Sequence, residues 1–185
     1  MAADKKNARR LKATLVFVDE SGFCLLPTAC RTWSPGGQTP ILRHCFNWPK
    51  LSAISAITPN PHAYLHWVPG SITSLQVIRF VRHLLRWIPT PLFLLWDGGN
   101  PHRSRLTREA LATHRDPLRV YRLPAYAPEL NPDEWLWAWL KQHALRGLCP
   151  PDLRVLCQTI RTALRRLRRR PDLIRPFFRA CPLSF

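Results

Sequence analysis

Two short apolar runs, each ending on an acid, constrain this chain most. They are LVFVDE at residues 15–20 and LFLLWD at residues 92–97. Runs of four or five apolar residues with no polar alternation are the pattern of strands covered on both faces. A chain with two such strands needs helices on each side of a sheet. The acids that close them, Asp19 and Asp97, then fall at the C-terminal mouth of the sheet, where open α/β sheets place their sites.

The rest of the chain supplies the covering layers. ATLVFVDE (Ala13–Glu20) reads as the first strand, Ser21 and Gly22 as a tight turn, and FCLLP as a returning strand. The Pro- and Gly-rich segment at residues 31–40 reads as a loop or hairpin. LSAISAIT (Leu51–Thr58) and HAYLHWV (His62–Val68) are strands separated by a Pro-Asn-Pro turn. Between residues 73 and 88, Leu75, Val77, Ile78, Val81, Leu84, Leu85 and Ile88 fall at helical spacing, with Thr73 or Ser74 as cap and Pro89 and Pro91 as stops. A short helix (Ser104–His114), a strand (118–124), a helix (132–145), a basic amphipathic helix (151–170) and the segment DLIRPFFRA follow. An antiparallel start feeding βαβ units implies a mixed α/β sheet flanked by helices. With no internal repeat and no second core, the expected organisation is a basic arm at 1–12, a main domain at 13–148, and a basic helical extension of that domain at 149–185.

The charge balance narrows the partners. Lys and Arg number 28 against 11 Asp and Glu, a formal net charge of +17. Only Lys5, Lys6, Lys12, Lys50 and Lys141 are lysines, so the bias is toward the planar guanidinium fork that suits phosphate. A polyanion is implied, with nucleic acid the commonest, and a membrane surface or simple solubility as alternatives. No run of about 18 apolar residues is present, and MAADKKNARRLK has no apolar signal core; the chain reads as cytoplasmic. None of the six cysteines forms a Cys-x-x-Cys pair. Reduced core thiols are therefore expected, with His44-Cys45 a weak hint of zinc. Walker-type and Gly-x-Gly-x-x-Gly phosphate loops are missing.

A third acid stands in LPAYAPELNPDEWLWAWLKQH (Leu123–His143). Glu134 follows Asn131 and Pro132, so taken alone it completes a capping box and complements a helix dipole. Taken with Asp19 and Asp97 it is a third oxygen donor. Two carboxylates at neighbouring strand ends repel unless a cation lies between them. Mg²⁺ prefers such hard oxygen ligands. Two ions about 3.5–4 Å apart activate an attacking oxygen and stabilise the leaving one in phosphodiester chemistry. Asp133 and Glu20, beside the favoured acids, read as solvent-facing or as supports for their neighbours.

VFVDESGFCLLPTACRTWSPGGQTP, LFLLWDGGNPHRS and LPAYAPELNPDEWLWAWLK, in that order, resemble the three catalytic blocks of bacterial insertion-sequence transposases related to the mariner elements, the "six-thirty" family. These belong to the DDE superfamily, and the similarity runs from about Lys12 to the C-terminus. The resemblance implies a ribonuclease H-like fold, with Asp19, Asp97 and Glu134 as the catalytic, metal-binding acids. It also implies two Mg²⁺ ions, replaceable by Mn²⁺. Asp19 and Asp97 would share the first ion and Glu134 would complete the pair. The reaction implied is DNA strand cleavage that frees a 3′-OH, followed by its transfer to target DNA. A TA target, and a homodimer pairing two transposon ends on double-stranded DNA, follow from the resemblance alone. Relatives carry helix-turn-helix modules before the catalytic domain; here about twelve residues precede the first strand, so end recognition is expected from a partner polypeptide. The family often has Asn after the second acid, and here Gly98 and Gly99 follow Asp97.

His102 matches the family's histidine near the second acid; it either orients a water or phosphate beside the metals or caps a helix start through a backbone partner. Of Trp135, Trp137 and Trp139, at least two are expected in the core, and Trp137 borders the site as a possible base-stacking ring. Arg165, Arg166, Arg168, Arg169 and Arg170 form a run expected to hold phosphate, as are Arg31, Arg43, Arg103, Arg105 and Lys141 near the blocks. The rival readings are an inactive DNA-binding relic, a structure-selective nuclease of the same fold such as a junction resolvase, and a basic RNA-binding protein without chemistry.

Overall fold

The computed structural model describes residues 10–26, 33–39, 41, 49–114 and 116–183. Arg31, Arg43 and the His44-Cys45 pair lie outside these residues. Five strands, β1 (Thr14–Cys24), β2 (Lys50–Thr58), β3 (His62–Pro69), β4 (Leu92–Trp96) and β5 (Leu118–Arg122), form one sheet in the order β3-β2-β1-β4-β5. The pairs β1–β2 and β2–β3 are antiparallel, and β1–β4 and β4–β5 are parallel. This is the mixed sheet that the apolar runs imply.

The sequence reading breaks down just beyond the first acids. Ser21 and Gly22 do not turn, and Phe23 and Cys24 continue β1 instead of opening a returning strand; Pro27 lies outside the described residues. β1 runs straight through, pairing Ser21 with Ala53, Gly22 with Ser52 and Cys24 with Lys50. Gly22 serves side-chain space instead: a Cβ there would stand 3.2 Å from Lys50 Cε. The ladder with β2 satisfies the backbone groups that a turn would have left to solvent.

Side chains alternate along β1, so its two faces belong to two cores. Val16 and Val18 join Ile54, Leu92 and Leu94 beneath α1 (Ser74–Trp87), which contributes Val77, Phe80, Val81 and Leu84. Phe17 faces the opposite layer. That layer is built from α4 (Pro132–Trp139), α5 (Leu153–Arg168) and α6 (Pro171–Ala180), through Leu136, Trp137, Ile160, Leu164 and Phe178. The basic C-terminal helices are thus part of the same core. Thr73 precedes α1, its backbone N–H donating to Gln76 Oε1 at 2.8 Å. The expected helix at 104–114 starts earlier, as α2 (Asn100–Arg103) and α3 (Arg105–Ala112), jointed at Ser104, whose Oγ accepts from Thr107 N. The helix expected to run to Leu145 is α-helical only to Trp139 and widens into a π turn over Leu140–Ala144, where Leu145 N donates to Leu140 O. Among the described residues no helix is long and apolar enough to cross a membrane.

Candidate active site

β1 and β4 run side by side with Val18 opposite Trp96, so the next residue of each strand, Asp19 and Asp97, emerges at the same sheet edge. Asp19 lies on the Phe17 face and Glu20 on the Val18 face, because neighbours on a strand point apart. The two acids consequently have different surroundings.

On the Asp19 side stands the start of α4. Asn131 caps it, its side chain accepting from Asp133 N at 3.2 Å, while Asn131 Nδ2 donates to Val18 O at 3.4 Å. One buried amide thereby ties the helix start to the end of β1. Asp133 turns inward, fully buried, its Oδ2 accepting from Ser55 Oγ at 2.7 Å; Ser55 is the β2 partner of Asp19. The solvent-facing reading of Asp133 is therefore wrong: the first turn of α4 points it at the sheet. Burial, then the charge of Asp19, hold Asp133 well above the ordinary carboxylate range. Its Oδ1 has no hydrogen-bond partner among the described residues. Glu134, the next residue, points the other way and lines an open cleft of about 480 Å³ together with Asp19, Asp97, Arg103 and Tyr126. The helix cap is supplied by Asn131, and the Glu134 carboxylate is left to the cleft.

Trp137, one turn on, donates its indole N–H to Asp19 Oδ2 at 3.0 Å. It is buried and meets Phe23 edge-on, so it is not a stacking surface for bases; Trp135 is the exposed ring of the three. Burial, then the charge of Glu134, push the Asp19 carboxyl up to about 8, against a backbone hydrogen bond from Glu20 that lowers it. Glu20 and Asp97 add to the rise. The charges that act on Asp19 are all carboxylates.

On the Glu20 side a histidine stands between two carboxylates. His102, buried in α2 and stacked on Trp96 at 4.2 Å between ring centroids, stands 2.6 Å from Glu20 Oε1 through Nε2. Its Nδ1 stands 2.9 Å from Asp97 Oδ1. Burial alone would lower its pKa, but the two carboxylates outweigh burial and raise it to about 9. The same contact holds Asp97 below the usual carboxylate range. Gly99 N donates to the same Oδ1 at 3.0 Å. Glu20, Asp97 and His102 bring potential ligand atoms within 4.8 Å of one another. A carboxylate stands against each ring nitrogen, so a protonated imidazole offsets one of the two negative charges. Asp97 borders both this cluster and the cleft that Asp19 and Glu134 line.

Residues 14–156 match the family model described as DDE superfamily endonuclease. The chain belongs to the DDE superfamily endonucleases. Its fold is ribonuclease H-like and resembles solved structures of Mos1. Against the Mos1 strand transfer complex the TM-score is 0.72 at 18% identity, covering 97% of this chain and 55% of that one. Against the pre-cleavage Mos1 transpososome it is 0.67 at 18%, covering 100% and 61%. Against the catalytic domain of Mos1 mariner transposase it is 0.62 at 17%, covering 100% and 91%. This DDE superfamily chain thus spans little more than half of the longer Mos1 chains and nearly all of the isolated catalytic domain. No curated protein matches it.

The expected phosphate contacts divide in this DDE superfamily fold. Arg103 lines the acid cleft. Arg105 pairs with Glu109 on the surface of α3, and exposed Lys141 lies over the Phe23 ring. Arg165, Arg166 and Arg169 are exposed. Arg168 instead donates Nε to Ala63 O at 2.8 Å, and Arg170 grips Asp172 with two nitrogens. Arg168 Nε thereby ties α5 to β3, and Arg170 holds the start of α6, uses that sequence spacing does not reveal. Ser55, and the bond from Asn131 to the end of β1, were not foreseen in the sequence; Glu20 takes the supporting one of its two expected roles. The face alternation of a strand ending Asp-Glu was the available signal for Glu20.

Proposed function

We propose that this chain is the catalytic domain of a DDE transposase, with Asp19, Asp97 and Glu134 as its catalytic acids. The observation that carries the reading is that three carboxylates from β1, β4 and α4 line one cleft in a chain of net charge +17. The donor set fits divalent ions: it is all hard oxygen, and burial and the neighbouring Glu134 carboxylate push Asp19 up to about 8. Asp19 and Asp97 hold the first Mg²⁺ or Mn²⁺ in this reading, and Glu134 serves the second. When bound, two such ions supply an activated attacking oxygen and charge stabilisation for the leaving one. The chain's own residues do the positioning. Trp137 orients Asp19, and His102 with Gly99 holds Asp97 Oδ1, leaving Oδ2 uncommitted. Arg103 at the cleft, and exposed Arg165, Arg166 and Arg169, hold DNA phosphates, which position the substrate without reading its sequence. Cleavage frees a 3′-OH that then attacks target DNA. Pairing of two transposon ends by a homodimer in the cytoplasm, with a helix-turn-helix module to recognise those ends, belongs to the same reading.

The test is nicking of a supercoiled plasmid and of end-labelled duplexes with Mg²⁺ or Mn²⁺. Cleavage by the wild-type chain, lost in Asp97→Asn with DNA binding retained, supports the proposal. Metal-independent cleavage, or cleavage surviving in Asp97→Asn, removes it. Binding without cleavage points to a relic, and preference for branched DNA to a structure-selective nuclease.

A further inference from the structure

The α1 face of the sheet carries a row of aromatic rings that the acid cleft does not use. His83 stacks on Trp87 at 5.6 Å between centroids, Trp87 on Tyr64 at 5.7 Å, and Tyr64 on His62 at 6.5 Å, all within 26° of parallel. Two come from α1 at i,i+4 spacing, and two from alternate positions of the edge strand β3. Trp87 is 58% exposed, far more than a ring kept only for packing. The turn before β3 holds the first ring, with His62 Nδ1 at 3.0 Å from Asn60 O. At the end of the row lies an open pocket of about 340 Å³, lined by Pro61, His62, Ala63, Tyr64, Trp87 and Arg168. Arg168 reaches it from the opposite layer of the protein. Its Nε–H donates to Ala63 O, which fixes the guanidinium at the sheet edge and leaves its two Nη groups uncommitted.

We propose that this pocket binds an unpaired nucleotide of a DNA strand, with the base against the exposed Trp87 ring of this aromatic wall and its phosphate on Arg168. An exposed indole beside a fixed guanidinium matches the two halves of a nucleotide. The base faces it would take are hidden in a duplex, so the substrate is single-stranded. Arg79, Arg82 and Arg86 are exposed along the same helix and continue the positive surface. That charge also disfavours a second copy of this chain, since a two-fold contact would set these arginines against themselves. Tyr64 pairs with Ala56, which pairs with Val18, so the wall lies two strands from the residue before Asp19. Two strand spacings are roughly 10 Å, and the wall sits on the other face of the sheet from Asp19. The site is therefore a contact separate from the cleavage cleft. The inference rests on the DNA-handling reading above only for the kind of nucleic acid.

The experiment is fluorescence anisotropy with labelled oligothymidylate and with a blunt duplex, in EDTA, using the whole chain. Trp87→Leu keeps apolar bulk without a ring, and Trp87→Phe restores a ring. Trp87→Leu is expected to weaken oligothymidylate binding about tenfold, from the worth of one base stack. Trp87→Phe should stay within about threefold, and duplex binding should be unchanged in both. Equal oligothymidylate binding by wild type and Trp87→Leu overturns the proposal. So does an equal loss for single strand and duplex, or a wild-type dimer that Trp87→Leu dissolves. Because no metal is present, absence of nicking leaves this result intact, and the two readings fail separately.

Discussion

Trp137 Nε1 lies 3.0 Å from Asp19 Oδ2, donated from the helix that also presents Glu134 to the same cleft. One element thus brings Asp19 both a repelling carboxylate and a holding N–H. Trp137→Phe keeps a ring against Phe23 and removes only the donor. A hydrogen bond to a charged acceptor is worth about 1.5–3 kcal/mol. Metal-dependent nicking should fall about tenfold while the circular dichroism spectrum stays that of wild type. An unchanged single-turnover rate across a Mg²⁺ titration would show that Asp19 needs no such holder.

The two glycines after Asp97 should behave differently. A Cβ at Gly99 would stand 3.2 Å from Asp97 Oδ1 and 3.6 Å from His102 Nδ1, inside the clasp that holds the acid. At Gly98 the nearest atom would be Arg103 Cδ at 3.9 Å, an ordinary contact. Neither position needs a positive φ. Gly98→Asn, the residue common in the resembling family, should leave nicking within about twofold and the fold intact, as a surface change does. Gly99→Ala should lower nicking at least tenfold, through displacement of a reacting group. Equal effects at the two positions, measured side by side, would contradict this assignment of space.

Asp133 should tolerate loss of its acidity and not loss of its shape. Asp133→Asn keeps an oxygen for Ser55 and places a neutral group where the proton is held, so urea unfolding at neutral pH should shift by less than about 1 kcal/mol. Asp133→Leu leaves Ser55 Oγ unpaired in the interior and should cost about 1–3 kcal/mol. If Asp133→Asn is the more damaging, the buried group is charged.

Without divalent ions, stability should decline from mildly acid to alkaline pH. His102 is raised from 6.5 to about 9, so its contribution is complete below about 6.5 and lost as pH rises through 9. Asp19 is raised from 3.8 to about 8, so the folded state holds that proton longer than the unfolded chain and is penalised progressively as pH rises through this window. Both signs agree. A tenfold difference in proton affinity between folded and unfolded chain is worth about 1.4 kcal/mol at most, so a fall on the order of 1–3 kcal/mol is expected between about pH 6 and 9.5. Urea titrations in EDTA measure it. His102→Gln should flatten the upper part, and saturating Mg²⁺ should flatten the part due to Asp19. A curve that rises over this range would reverse the assignment of both protons.

Much of this arrangement is readable from one-dimensional pattern. LVFVDE and LFLLWD are covered on both faces because each lacks polar alternation, and that places two acids at one sheet edge once the strands pair in parallel. Asn131 and Pro132 start a helix by local hydrogen bonding, which needs no distant partner. Positions decided by distant contacts were not readable. Gly22 looks like a turn until the ladder with β2 and the Lys50 side chain occupy its surroundings. Arg168 looks like its neighbours in an arginine run until Ala63 O from another layer meets it.

The sequence by itself determined the apolar strands, the helices on the sheet's faces, and the place of Asp19 and Asp97 at strand ends and of Glu134 in a first helical turn, because strand and helix periods and capping act over a few residues. Only the tertiary structure decided which side chains those acids meet. Asp19 faces Trp137 while Glu20, one residue on, faces His102; Asp133 turns inward to Ser55 while Glu134 turns outward to the cleft. The physical reason is that neighbouring residues leave the backbone in different directions. What each one meets depends on elements brought alongside from far away in the chain.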